Sequence, residues 1–228
     1  MPTRKITRSP VKVTGTTPDG QQFESTLEED FLFLTRFNRL VERVETQTIT
    51  IDWADASGAI RKYTPDIIVY YRKDLEESKD IPTKIFEVKP DFSEKDNERK
   101  HLYPPRKEDE EENKRKWAAA SRWAALRGWE FEVVRESAIR TPFLNNVKFL
   151  LRYLERDFVP QQETEMLEYL SVHGSMTIDD IMKVFAKDIQ SRAKLLPSCY
   201  RLIAKQQIGA DLSCTLSMQT VLTPVYAK

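Results

Sequence analysis

Two short, nearly unbroken apolar runs, Ile67-Ile68-Val69-Tyr70-Tyr71 and Ile85-Phe86-Glu87-Val88, constrain this chain more than any other feature. Runs of this length read as strands, and continuous apolarity in place of alternation marks strands buried on both faces. A sheet buried on both faces needs helices on either side, so the expected class is α/β. The first run is also the longest apolar stretch in the chain. A membrane-spanning helix needs about twenty such residues. The opening Met1-Pro-Thr-Arg-Lys-Ile6 has no apolar stretch of the secretory kind. A cytoplasmic protein without membrane contact is expected.

Charge and rare residues narrow the chemistry. The 228 residues carry 36 basic and 36 acidic side chains, so any nucleic-acid patch must be local. Two histidines, His101 and His173, weaken mechanisms built on an imidazole base or a histidine metal cluster. Two cysteines, Cys199 and Cys214, are too few for a disulfide framework or a cysteine zinc site. Gly15 and Gly20 have P-loop spacing, but Gln21-Gln22 follow where Lys and Ser or Thr are needed, so nucleotide hydrolysis is not supported.

Along the chain, residues 1–24 read as a basic arm (Arg4, Lys5, Arg8, Lys12) suited to a phosphate backbone. Leu27, Phe31, Leu34, Phe37 and Val41 recur at helical spacing and predict a helix from Ser25 to about Val44. Alternation then predicts a strand over Thr46–Trp53, a turn over 54–58 and a hairpin partner over Ala59–Tyr63. Strands are expected at Asp66–Tyr71, Thr83–Lys89 and Trp129–Val134, with helices at about 107–126 and from Pro142. Pro160 is the expected boundary between an α/β domain over 25–158 and a small module over 161–228. Helices at about 161–172, 177–186 and 189–206, followed by two short strands, fit a winged helix.

The chemistry concentrates at Asp66 and at Glu87-Val88-Lys89. Residues two apart on a strand share a face, so Glu87 and Lys89 emerge together. If the strand of Asp66 pairs with theirs, two carboxylates and an ammonium converge. Hard cations such as Mg²⁺ take oxygen ligands, and the Val88 carbonyl between the two side chains is a natural third. Lys89 is then placed to hold or deprotonate a water, or to stabilise charge on phosphorus. This is the equipment of metal-assisted phosphodiester hydrolysis. An ion pair buried merely for strength is the bland alternative, and such pairs are not reliably stabilising. Ser25-Thr-Leu-Glu28 is a capping box in which Glu28 returns to the Ser25 amide. A third carboxylate for the site comes from Glu28 or Glu29, which helical geometry alone does not separate.

Asp66 and Glu87-Val88-Lys89 on adjacent strands behind an S-x-x-E helix resemble the PD-(D/E)xK nuclease superfamily. Ser25–Glu28, Glu45–Gln47, Thr64–Asp66, Phe86–Pro90, Lys116-Trp117 and the strand at Trp129–Val134 are similar to the TnsA family of transposon endonucleases. The resemblance covers about residues 20–155. It implies a restriction-endonuclease-like mixed sheet flanked by helices, with a small winged-helix-like C-terminal domain. Glu28, Asp66, Glu87 and Lys89 fall on its active-site positions, with Asp66, Glu87, the Val88 carbonyl and Glu28 around Mg²⁺ (Mn²⁺ as substitute). Gln47 would support the site. TnsA-like proteins cut the 5′ ends of a transposon in double-stranded DNA. A DDE-type recombinase (TnsB-like) cuts and joins the 3′ ends, and an AAA+ regulator (TnsC-like) docks on the C-terminal region. A bacterial, nucleoid-associated setting follows. A stand-alone restriction or repair nuclease, and a silent adaptor between recombinase and regulator, are the alternatives.

Further cations are candidate DNA contacts. Lys114, Arg115 and Lys116 sit on the helix after the active strand, where the helix dipole also favours cations. Arg192, Lys194, Arg201 and Lys205 form a basic stripe on the helix at 189–206, which reads as a recognition helix or a solvated face. The tail from 161 to 228 balances seven basic against seven acidic residues, favouring protein docking over autonomous DNA binding. Trp117, Trp123 and Trp129 are expected in the core, and both histidines at the surface.

Overall fold

A computed structural model describes residues 13–91 and 107–225. The basic arm residues Arg4, Lys5, Arg8 and Lys12, and His101, lie outside the described residues. The chain divides into two compact units, Met1–Ile139 and Arg140–Lys228.

The first unit is a mixed sheet with a helix on each face. Its elements are β1 (Gly15–Thr16), β2 (Gln22–Phe23), α1 (Thr26–Phe37), β3 (Val41–Thr46), β4 (Ile51–Ala54), β5 (Ile60–Tyr63), β6 (Ile67–Tyr71), β7 (Lys84–Lys89), α2 (Lys107–Ala125), β8 (Glu130–Arg135) and α3 (Glu136–Ile139). The main sheet has the order β3-β6-β7-β8, antiparallel except for the parallel pair β7–β8. β6 and β7 are central, as their unbroken apolarity requires, and Ile67, Ile68, Val69 and Ile85 are almost fully buried. On β7, Phe86 packs on Phe31 of α1, ring centroids 4.9 Å apart. Ile85, on the opposite face, packs with Ala124 of α2. Strand alternation therefore sends Glu87 and Lys89 to the α2 side.

Separate from the main sheet, β4 and β5 form a two-stranded ribbon. Ile51, Trp53 and Tyr63 of the ribbon pack with Ala119 and Ala120 of α2, whose small side chains let the helix lie close. Trp117, Trp123 and Trp129 are half-buried against these clusters.

Three expectations need correction. The expected arm over 1–24 includes the β1–β2 hairpin. Gly15 is required there, because a Cβ would stand 2.4 Å from the Phe23 ring. The first helix stops at Phe37, well before Val44; the Asn38 amide caps it on the Leu34 and Thr35 carbonyls. Val41-Glu-Arg-Val-Glu-Thr46 then pairs with β6 as an edge strand, with a register shift between Val41 and Arg43 that interrupts its alternation. The strand expected over Thr46–Trp53 is consequently two strands, β3 and β4, broken at Gln47, whose φ is +54°.

The second unit contains α4 (Pro142–Leu151), α5 (Pro160–His173), β9 (Met176–Thr177), α6 (Ile178–Phe185), α7 (Ile189–Ala204), β10 (Ile208–Ala210) and β11 (Val221–Pro224). Its antiparallel sheet has the order β10-β11-β9. The units divide at Ile139, ahead of the boundary expected at Pro160. The Asn146 side chain on α4 explains the difference: it donates to the Leu212 and Cys214 carbonyls (2.9 and 2.7 Å) and accepts from the Leu216 amide (3.1 Å). These bonds bind α4 to the loop between β10 and β11. Among the described residues, no helix is long and apolar enough to cross a membrane.

Candidate active site

The ends of β6 and β7 bring the acidic residues together. β6 runs antiparallel to β7, with Ile67 opposite Phe86. Asp66, just before β6, accepts a hydrogen bond on Oδ2 from the Val88 amide at 2.8 Å. Glu87 is 97% buried, with two partners. Its Oε1 receives the Lys89 ammonium at 2.6 Å, and its Oε2 receives the Tyr63 hydroxyl at 2.5 Å. The shared face of Glu87 and Lys89 follows from strand alternation, whereas Tyr63 reaches Glu87 only because the ribbon folds onto the sheet.

Glu28 enters from the first turn of α1. Ser25 caps that helix, accepting from the Glu28 amide at 3.1 Å. The Glu28 carboxylate reaches back to the Ser25 hydroxyl and the Glu24 amide, both at 2.9 Å. The capping box is thus real but closes on Glu24 in place of Ser25. Glu28, Tyr63, Asp66, Glu87, Val88, Lys89, Lys62 and Lys116 line one cavity of about 680 Å³. Glu28 therefore caps and faces the cavity together.

Electrostatics follow from enclosing several acids in one place. Burial, then the charges of Glu87 and Glu28, push the Asp66 carboxyl up to about 8. Burial also raises Glu28, against the hydrogen bonds from Glu24 and Ser25. For Lys89, burial opposes the charge but Glu87 and Asp66 outweigh it, so its pKa is raised. Lys89 is accordingly an ammonium, suited to holding and stabilising negative charge and not to taking a proton. Burial and Glu87 keep the Tyr63 phenol firmly protonated.

Residues 38–136 match the family described as TnsA-like endonuclease N terminal. The chain carries a TnsA-like endonuclease domain. No curated protein matches the chain. The TnsA-like match contains Gln47, Asp66, Glu87 and Lys89, together with β3 to β8 and α2; α1 and Glu28 precede it. The mixed sheet flanked by helices agrees with the restriction-endonuclease-like fold expected of this family.

The residues of this cavity offer oxygen donors to a hard divalent cation. Among the described residues, no three acidic, histidine or cysteine side chains form a ready-made metal cluster. The carboxylates of Asp66 and Glu87 nonetheless line one cavity, and Glu87 Oε1 already carries a cation, the Lys89 ammonium. Oxygen donors around a position that accepts positive charge fit Mg²⁺ or Mn²⁺ chemically. Gln47 is buried without lining the cavity, and its backbone N–H donates to the Asp66 carbonyl at 3.1 Å. It fixes the backbone that carries Asp66.

The other candidate residues fall outside this cluster. Lys114 is exposed and paired with Glu111 at 2.7 Å. Arg115 lines a separate cavity of about 530 Å³ with Trp53, Asp55 and Glu111. Lys116 alone of that triplet faces the acids. In the second unit, Arg192 is half-buried and donates to the Ala186 carbonyl at 3.1 Å, while Lys194 is exposed. Arg201 and Lys205 are bound to Glu163 at 2.8 and 3.0 Å, so of these four cations only Lys194 is not engaged internally among the described residues. His173 is exposed and stacked on Tyr169.

Tyr63 and Lys62 were not among the sequence-predicted site residues. The available signal was their position: they end a strand immediately before Thr64-Pro65-Asp66, so any ribbon that folds back places them beside the acid.

Proposed function

We propose that this TnsA-like protein is the endonuclease subunit of a heteromeric cut-and-paste transposase, hydrolysing DNA phosphodiesters at the 5′ ends of the transposon. The observation that carries the reading is the convergence of Asp66, Glu87 and Lys89, with Glu28, on one cavity. Asp66 and Glu87, with the Val88 carbonyl and Glu28 as further oxygens, would hold Mg²⁺. Such an ion supplies Lewis-acid activation of the phosphate and an acidified water. Lys89, as an ammonium, steadies the attacking water and the charge that develops on phosphorus. Tyr63 holds Glu87 in place from behind.

The same reading covers partners. The order α5-β9-α6-α7-β10-β11 and the sheet order β10-β11-β9 support a winged helix in the second unit. With Arg201 and Lys205 occupied by Glu163, that unit suits protein docking, for which an AAA+ regulator (TnsC-like) is the proposed partner. A net charge of zero supports delivery of the DNA ends by a DDE-type recombinase (TnsB-like), in the bacterial cytoplasm.

The test begins with calorimetric titration of Mn²⁺ into the full chain and its Asp66→Ala variant. Binding by the wild type alone is expected. Cleavage of a transposon-end duplex with the recombinase should then require both Asp66 and Lys89. A Lys89→Ala protein that still cuts the 5′ ends would sink the catalytic assignment.

A further inference from the structure

Two lysines on the active cavity take no part in holding the acids. Lys116 is half-buried on α2, with its Nζ 5.0 Å from the centroid of the Tyr63 ring. Among the described residues it makes no hydrogen bond or ion pair. Lys62, exposed on β5, lines the same cavity and makes none either. Asp52 stands opposite Lys62 in the ribbon register without pairing with it. The neighbouring cations are used differently: Lys89 is bound to Glu87, Lys114 to Glu111, and Arg61 to Asp55.

An ammonium drawn partly out of water with no counter-ion is costly unless something else supplies the anion. The Tyr63 ring offers Lys116 a weak substitute through its electron-rich face. The acids of the cavity do not bond it: Glu87 is taken by Lys89 and Tyr63, Glu28 by Ser25 and Glu24, and Asp66 by the Val88 amide. Glu112, one turn before Lys116 on α2, acts on it through its charge without forming an ion pair. One cavity thus holds a buried carboxylate at Glu87, the half-buried ammonium of Lys116 and the exposed ammonium of Lys62. A flexible four-carbon stem ending in a point charge is a normal phosphate-binding group.

We propose that Lys62 and Lys116 form a phosphate-binding pair that grips the DNA backbone beside the hydrolytic residues, contributed by the ribbon and by α2. The pair binds substrate, whereas Asp66, Glu87 and Lys89 act on the scissile phosphate. The identity of the ligand as DNA rests on the nuclease reading above. The sites on β5 and α2 are tied together by Tyr63, which Lys116 covers and which holds Glu87, so a gripped strand is referenced directly to the metal-site carboxylate.

The test uses the full chain, a fluorescent double-stranded oligonucleotide of random sequence, and EDTA to prevent cleavage. Affinity is measured by anisotropy across a salt series for the wild type and for Lys62→Gln, Lys116→Gln, the double variant and Lys114→Gln. Each phosphate contact contributes roughly 0.9 to the slope of log K against log salt. The slope is expected to fall by about one in each single variant, by about two in the double variant and not at all in Lys114→Gln. Melting curves establish that each variant is folded. An equal fall in Lys114→Gln, unchanged slopes in the cavity variants, or no DNA binding by the wild type at low salt would each overturn the pair. Failure of the nuclease reading is distinguishable: the slopes would fall as expected while Mn²⁺ binding is absent.

Discussion

Two charged clusters in this chain bury carboxylates beside lysines, and they are built on opposite principles. In the second unit, Glu163 accepts Arg201 on both oxygens at 2.8 and 2.9 Å and Lys205 at 3.0 Å. Arg201 and Lys205 also lie over the Phe158 ring, at 3.4 and 5.3 Å from its centroid. One acid meets two cations in a closed network. In the first unit, five acids, Glu24, Glu28, Asp66, Glu87 and Glu112, outnumber the three lysines Lys62, Lys89 and Lys116 around one open cavity. Burial, reinforced by the charges of Glu87 and Glu28, holds Asp66 far above the ordinary carboxylate range. A closed cluster with cations in excess makes structure. An open cluster with like charges in excess is a site awaiting a ligand of opposite sign.

The contrast yields ordered expectations. Glu163→Gln leaves the Arg201 charge, whose side chain is only 12% exposed, without its counter-charge. Urea unfolding of the second unit should show a loss of about 3 kcal/mol, with Mn²⁺ binding unchanged. A loss near zero would make the network ornamental.

Asp66→Asn should act in the opposite direction. The folded carboxyl titrates at about 8 against an ordinary value of 3.8, so folding favours the protonated form. Stability contributed by that protonation is complete below pH 4 and is lost as pH rises through 8. Asparagine stays neutral and keeps the bond from Val88. The metal-free variant should therefore melt like the wild type near pH 4 and several degrees higher at pH 8, a gain of about 2 kcal/mol. Equal melting at both pH values would remove the claim that the site is electrostatically loaded.

The smallest effect belongs to Tyr63→Phe. Removing the hydroxyl leaves Glu87 Oε2 without its donor, and groups that orient a ligating carboxylate typically contribute about tenfold or more to metal affinity. Calorimetry should show Mn²⁺ binding weakened by about tenfold while the ribbon stays packed. Unchanged affinity would reduce Tyr63 to a space-filling role.

Much of the site was legible in the sequence because its spacing is local. Glu87 and Lys89 share a face by strand geometry, and Ser25 caps Glu28 by helix geometry. The same logic failed where two patterns competed. Val41 fits the helical spacing of Leu34 and Phe37, yet it begins a strand that pairs with β6, a long-range partner that local spacing does not register. Lys114 and Arg115 could not be told from Lys116 until α2 was set against the ribbon. Adjacent helical residues point in different directions, and only packing selects the one that faces the cavity.

Amino-acid order alone thus determined the central strands, the Ser25 cap of the first helix and the shared face of Glu87 and Lys89, since each depends on the backbone geometry of a few neighbouring residues. Tertiary structure decided that Asp66 binds the Val88 amide, that Tyr63 holds Glu87, that Lys116 looks into the cavity and that Glu163 is neutralised by α7. Those contacts join residues of different elements, and their formation depends on how apolar faces pack, which no local spacing encodes.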